Sequence, residues 1–150
     1  MRVRHILTGH DAEVLAWVAE RLPVQFLGVL AAIGVLDGEA GGQMALVGGA
    51  VLHNWSRYDI EMSYFGPMTF SPNMGEAIAR AALEAGVQRM TIRIPRRASK
   101  IGRFLTAQGW HWEGIQRRLY GPTKADDAIM YGMLAGEGFL IWPVPQEQAA

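Results

Sequence analysis

The chain has 150 residues, of which half are apolar and 19% charged, with a formal net charge of zero at pH 7 and no cysteine. That length suits a single domain around one core, and the composition excludes intrinsic disorder. The charge balance removes any general attraction to nucleic acid or acidic membranes, while the lack of cysteine excludes disulfides, thiolate-bound zinc and a cysteine nucleophile.

Met1-Arg2-Val3-Arg4-His5 lacks the apolar run and cleavage site of a secretory signal. The longest apolar stretch, 24–36, is interrupted by Gln25, Gly28 and Gly34 and is too short to span a bilayer. A cytoplasmic protein without a membrane segment is therefore expected. Asp11 is placed to cap a helix over 11–21, with Val14, Leu15, Val18 and Leu22 as its buried stripe and Pro23 as its stop. A buried strand follows at 30–36. The run Asp37-Gly38-Glu39-Ala40-Gly41-Gly42 reads as a turn into a long strand over 44–55, where Gly48 and Gly49 predict a bulge or a close backbone approach. Residues 59–65 return as a third strand, with Ile60, Met62 and Tyr64 on one face and Glu61, Ser63 and Phe65 on the other.

Ser71-Pro72-Asn73 opens a helix that runs through Ala85 and ends at Gly86. Its alanine-rich face allows close packing on a sheet. Residues 89–94 alternate basic and apolar side chains as a strand with one wet face would, and Pro95 ends them. A short helix is expected at 100–108, then strands at 113–120 and 128–134 around a Gly121-Pro122 turn. Phe139-Leu140-Ile141-Trp142 reads as a last core strand or as part of an interface. Residues 146–150 are a polar, frayed tail, so the domain is expected over 1–145. Arg89, Arg93, Arg96, Arg97, Lys100 and Arg103 crowd one segment. Two readings stand for them: a rim beside a phosphate-bearing cofactor, or a track for a polynucleotide.

The stretch Gly109-Trp110-His111-Trp112-Glu113-Gly114-Ile115-Gln116-Arg117-Arg118, followed by Asp126-Asp127-Ala128-Ile129-Met130-Tyr131-Gly132-Met133-Leu134, closes this order of elements. Over 11–137 the chain resembles the GNAT N-acyltransferases. The resemblance implies an α+β fold with a mixed, mostly antiparallel sheet of about six or seven strands, a V-shaped splay and helices on both faces. It implies transfer of an acyl group, most simply from acetyl-CoA, to a primary amine. The strand carrying Met62, Ser63, Tyr64 and Phe65 would then wall the cofactor cleft. Asn73, Met74 and Gly75 would lie at the pyrophosphate, where helix N-termini favour anions. The usual phosphate loop, Arg/Gln-x-x-Gly-x-Gly/Ala, is matched here by Gly75 and Ala77 alone. The family's asparagine and tyrosine in the later helix are replaced by Ala98 and Leu105, with Ser99 the neighbour of the first. Gly48-Gly49-Ala50-Val51-Leu52-His53-Asn54-Trp55 and Ile60-Glu61-Met62-Ser63 further resemble a phage-encoded branch that includes relatives of the Mom DNA-modification protein, which would make adenine in DNA the acceptor. A chain that kept the fold and lost the chemistry, as a phage structural or interaction protein, is a third reading.

Four residues are the candidates for catalysis: His53, Glu61, Ser63 and Tyr131. His53 can take a proton near neutral pH or can anchor a hairpin. It faces Ile60 or Glu61 according to register. Glu61 is a base or a solvated strand carboxylate, and Ser63 lies at the polar strand end that would polarise the carbonyl. The Tyr131 phenol would donate to a departing thiolate or sit in the core. Asp126 and Asp127 would position an amine or begin the last strand. Trp55, Trp110 and Trp112 can stack on a base or pack in the core. The four histidines show no metal-ligand spacing, and a homodimer is an open possibility.

Overall fold

The computed structural model describes residues 1–68 and 71–141. Phe70, Trp142 and the expected tail at 146–150 lie outside them. The elements run β1 (Arg2–Leu7), α1 (Asp11–Ala19), β2 (Ala31–Glu39), β3 (Met44–His53), β4 (Asp59–Phe65), α2 (Pro72–Glu84), β5 (Arg89–Pro95), α3 (Ser99–Ala107), β6 (His111–Gln116) and β7 (Ala128–Leu134), with one 3-10 turn before β7. They form a seven-stranded sheet in the order β1-β2-β3-β4-β5-β7-β6, in which every neighbouring pair is antiparallel except β4 and β5. No helix among the described residues is long and apolar enough to cross a membrane.

Four local expectations need correction. The N-terminal segment, with no strand predicted, is β1, and its arginines explain why β2 runs on through supposed turn residues. Arg2 and Arg4 hold the Asp37 carboxylate from the neighbouring strand at 2.7 and 3.2 Å, so Asp37 sits mid-strand. Asp11 is not the helix cap. His10 occupies that position, and the Asp11 carboxylate accepts instead from the Ala32 backbone N–H at 2.9 Å, tying α1 to β2. Residues 117–120 are turn rather than strand, because Asp127 accepts from both the backbone and the guanidinium of Arg118, whose φ is +57°. Phe139 to Ile141 also form a turn; Leu140 is buried in the core, Phe139 packs against Trp110 and Ile141 is exposed.

The bulge predicted by Gly48 and Gly49 is present. Val35 pairs with Gly48 and Leu36 with Leu46, so Val47 is the extra residue. Gly49 serves a close approach. A methyl group there would stand 2.7 Å from Val18 and 3.0 Å from Val14, which places α1 directly on the β3 backbone. Val14 and Val18 with Ala32 and Val51 make a small core on that face. The larger core lies on the opposite face, where α2 and α3 cover Leu52, Ile60, Met90 and Met133. Ser71 caps α2, its hydroxyl accepting from the Met74 N–H, with Pro72 in the first turn.

The feature that positions a site is the β4–β5 pair. Each strand has seven residues, yet pairing covers Asp59 with Arg89, Ile60 with Met90 and Glu61 with Thr91, and stops. Beyond it, 62–65 stay with β3 and 92–95 stay with β7. The strands part into a wedge whose inner edges have no strand partner.

Candidate active site

Register decides which candidates meet. His53 pairs with Glu61 on β4, not with Ile60. Alternation along the strands then puts His53, Glu61, Ser63, Thr91 and Arg93 on the α1 face of the sheet, at the point where the wedge opens. Tyr131 pairs with Ile92 and therefore falls on the opposite face, under α3. The sheet thus separates Tyr131 from the other three catalytic candidates.

On the α1 face, His53 is 1% exposed, and its Nε2 lies 2.8 Å from the Ser63 hydroxyl. The Phe26 ring stands edge-on to the imidazole at 4.9 Å. Its Nδ1 is buried without a hydrogen-bond partner. An orphaned N–H costs more than an orphaned lone pair, since a donor stripped of water loses its whole hydration bond. The tautomer that suits this site is therefore the one with hydrogen on Nε2, donating to Ser63. Burial pushes the imidazole pKa down, the Glu61 carboxylate pulls it back and Arg93 opposes; the result lies below the ordinary 6.5, so His53 is neutral at pH 7.

Glu61 is held from two sides. Arg93 donates through Nε at 3.1 Å and through its terminal nitrogen at 2.6 Å, and the Asn54 amide donates at 3.0 Å. Burial alone would raise the carboxyl pKa, but the hydrogen bonds from Arg93 and Asn54, with the Arg93 and His53 charges, outweigh it and hold Glu61 below its ordinary value. A carboxylate has about four acceptor sites. Three are taken, so one remains. Beside it, Arg89 bridges Asp59 at 3.3 Å and Glu113 at 2.5 Å. These residues, with Thr91 and Met130, line a basin of about 410 Å³ holding three carboxylates and two guanidinium groups.

The cofactor candidates divide as follows. Met62 is in the core, and Tyr64 packs against it with its hydroxyl donating to the Pro67 carbonyl at 2.6 Å. Phe65 is partly exposed on the α1 face against Trp17. At the start of α2 the N–H groups of Met74 and Gly75 point back to Ser71, the Met74 side chain is buried, and Gly75 packs against Phe139. Asn73 is exposed there. Ser99 opens α3 on the side facing β7 and β6. Asp126 and Asp127 organise the loop before β7 by binding Arg97, Arg96 and Arg118. Trp110 is buried, whereas Trp55 and Trp112 are exposed. Among the described residues no group of three His, Cys, Asp or Glu side chains is placed to hold a metal ion.

The sequence alone does not mark Arg93, Asn54 or Phe26 individually as site residues. A signal for Arg93 lies in the alternation of Arg89, Thr91 and Arg93, which complements Asp59 and Glu61 once the two strands lie parallel. Nothing in the sequence points to Phe26.

No family model and no curated protein matches the chain in sequence. Solved structures do match in shape. The spermidine/spermine N-acetyltransferase SpeG of Vibrio cholerae superposes with a TM-score of 0.64 at 10% identity, over 89% of this chain and 95% of that one. A GNAT family acetyltransferase from Streptococcus pneumoniae gives 0.61 at 14% identity, over 88% and 99%. One from Elizabethkingia anophelis with acetyl-CoA bound gives 0.56 at 10% identity, over 89% and 97%. The chain has the GNAT fold, in its seven-stranded form with helices on both faces.

Proposed function

We propose that the protein is an acyl-CoA-dependent N-acyltransferase, using acetyl-CoA and a primary amine. The observation that carries this reading is the wedge between β4 and β5 on a GNAT fold, with inner edges free of strand partners. Those edges fit a ligand that carries amides along its length, because main-chain N–H and C=O groups left in a cleft need partners. The neighbour from Elizabethkingia anophelis has acetyl-CoA bound, and SpeG is a spermidine/spermine N-acetyltransferase.

Acetyl-CoA, when bound, supplies an activated acyl group. The residues of this chain would do the rest. The basin at Asp59, Glu61 and Glu113 attracts a cationic amine, and the remaining acceptor site on Glu61 orients one of its N–H bonds. The depressed pKa makes Glu61 a weak base, so the amine proton leaves to water through the basin. Ser63 stands just past the last paired residue. With His53 donating into its oxygen, the Ser63 hydrogen is free to point at the wedge, where a preorganised donor stabilises developing negative charge. His53 acts through Ser63 and is a positioning residue.

A second reading, modification of adenine in DNA by a phage-type enzyme, is favoured by one observation. Trp55 and Tyr58, 48% and 54% exposed, flank Arg57 on the β3–β4 loop next to the basin. Exposed aromatic faces beside a cation suit an extruded base.

Calorimetry with acetyl-CoA, followed by thiol release over a panel of primary amines and nucleoside mass spectrometry on incubated DNA, tests both readings. Cofactor binding with amine-dependent thiol release supports the first, and modified adenine supports the second. Folded protein that binds no acyl-CoA and leaves DNA unmodified overturns both and leaves a silent GNAT fold.

A further inference from the structure

A second cavity of about 410 Å³ lies between α3 and the β7–β6 edge, on the face of the sheet opposite His53 and Glu61. Two faces of α3 make the distinction. Ile101 and Phe104 pack against the core, while Ser99, Gly102, Arg103 and Thr106, spaced i, i+3, i+4 and i+7, line the cavity.

Its chemistry is mixed in a specific way. Tyr131 is 8% exposed, yet its hydroxyl opens on this cavity with no hydrogen-bond partner among the described residues. The ring is buried but the oxygen itself meets solvent in the cavity, where it is open to a ligand. Gly102 makes room for it: a methyl group there would stand 2.6 Å from the Tyr131 oxygen. Arg96 also lines the cavity. One of its terminal nitrogens reaches Asp127 at 3.4 Å, and 36% of the side chain is exposed. Arg103 forms no ion pair among the described residues. The opposite rim is the exposed indole of Trp112, with Ile129 beside it.

We infer that this cavity is a binding site, separate from the wedge, for a planar aromatic anion of mononucleotide size. Its phosphate or carboxylate would sit between Arg96 and Arg103, accept from Tyr131, and leave the ring against Trp112. An accessible phenol, the exposed part of the Arg96 guanidinium and the unpaired Arg103 suit an acceptor with several lone pairs, which an anionic oxygen group supplies. The volume lies within the range of small-molecule pockets. A bare anion would leave the indole uncovered, and a neutral ring would leave the cations unanswered.

The test is calorimetry on the full chain with adenosine 5′-monophosphate, adenosine, ribose 5-phosphate and inorganic phosphate. The monophosphate is expected to bind, and the other three to bind about tenfold more weakly or less. Arg103→Gln and Trp112→Ala should each weaken it by about fivefold or more, and Gly102→Ala should do the same by crowding the phenol. Arg103 is exposed and unpaired, so its replacement leaves the fold intact, as circular dichroism would verify. Acetyl-CoA is titrated separately into each variant, so failure of the acyltransferase reading does not touch this result. No heat with the monophosphate, affinity unchanged in Arg103→Gln and Trp112→Ala, or simple competition with acetyl-CoA would each overturn the site. Equal affinity for inorganic phosphate would remove the aromatic half of the inference, and equal affinity for adenosine the anionic half.

Discussion

Arg93 reaches back from the diverging part of β5 to hold Glu61, the last residue of β4 that pairs with β5, through contacts of 2.6 and 3.1 Å. The pair therefore closes the apex of the wedge where backbone pairing has ended. At 27% and 13% side-chain exposure neither charge is fully desolvated, but each is dry enough that leaving the other alone is costly. Arg93→Met should lower unfolding stability by about 1–3 kcal/mol, the buried-pair figure discounted for the remaining solvent. Urea unfolding would show a lower midpoint with an unchanged slope. The double variant Glu61→Met/Arg93→Met should recover part of the loss, since it strands no charge; a double variant as unstable as the sum of the singles would mean that the contact is not coupled.

His53 and Ser63 give a prediction that separates positioning from proton transfer. Glutamine can present an amide N–H near the place of Nε2 but cannot titrate. If His53 works by donating to Ser63, His53→Gln keeps most of kcat, whereas His53→Ala and Ser63→Ala each lose about tenfold or more. Steady-state rates with saturating acyl-CoA and amine would decide it. Equal loss in the glutamine and alanine variants, with a pH profile that flattens in both, would make His53 the base instead.

Much of this architecture is legible in the chain because local signals agree. The Asp59–Phe65 alternation, the Ser71-Pro72 helix start and the Gly86 and Pro95 stops all mark boundaries that the tertiary structure keeps. The misses share one cause. β1 is a mostly exposed edge whose pairing depends on Arg2 and Arg4 meeting Asp37 some 35 residues away, and no local pattern reports that. The site was half legible for the same reason. His53, Glu61 and Ser63 stand out by residue type on neighbouring strands, but the partners that fix their chemistry, Arg93 from β5 and Phe26 from the loop before β2, arrive from distant segments. Tyr131 shows the converse: its residue type invites a catalytic role, and strand register puts it on the other face of the sheet.

The depressed pKa values of His53 and Glu61 set a pH dependence of stability. For both groups the unfolded chain binds protons more readily than the folded one, so stability rises with pH through each window. The His53 contribution is complete above the ordinary imidazole value of 6.5 and is lost as pH falls below it toward the lowered folded value. The Glu61 contribution is complete above its ordinary 4.5 and is lost as pH falls further. Unfolding free energy should thus decline in two stages on acidification. His53→Gln should flatten the first stage and leave the second, as urea titrations between pH 4 and 8 would show. A wild-type curve level from pH 7 to 5 would contradict the buried, neutral imidazole.

Gly49 and Val18 allow the packing of α1 on the sheet to be tested directly. Gly49→Ala places its methyl group 2.7 Å from Val18 and 3.0 Å from Val14, and the helix must lift or the valines must leave their rotamers. Overpacking of this kind costs about 1–3 kcal/mol. Val18→Ala alone also destabilises, by removing a fully buried side chain. Together the two changes should be less harmful than their sum, because the cavity left by one accepts the methyl group of the other; a coupling of about 0.5–3 kcal/mol is expected for side chains in contact. Because His53 ends the strand that carries Gly49, the single Gly49→Ala variant should also reduce turnover, and Val18→Ala should restore it. Strict additivity in urea unfolding would show that α1 does not rest on Gly49 in solution.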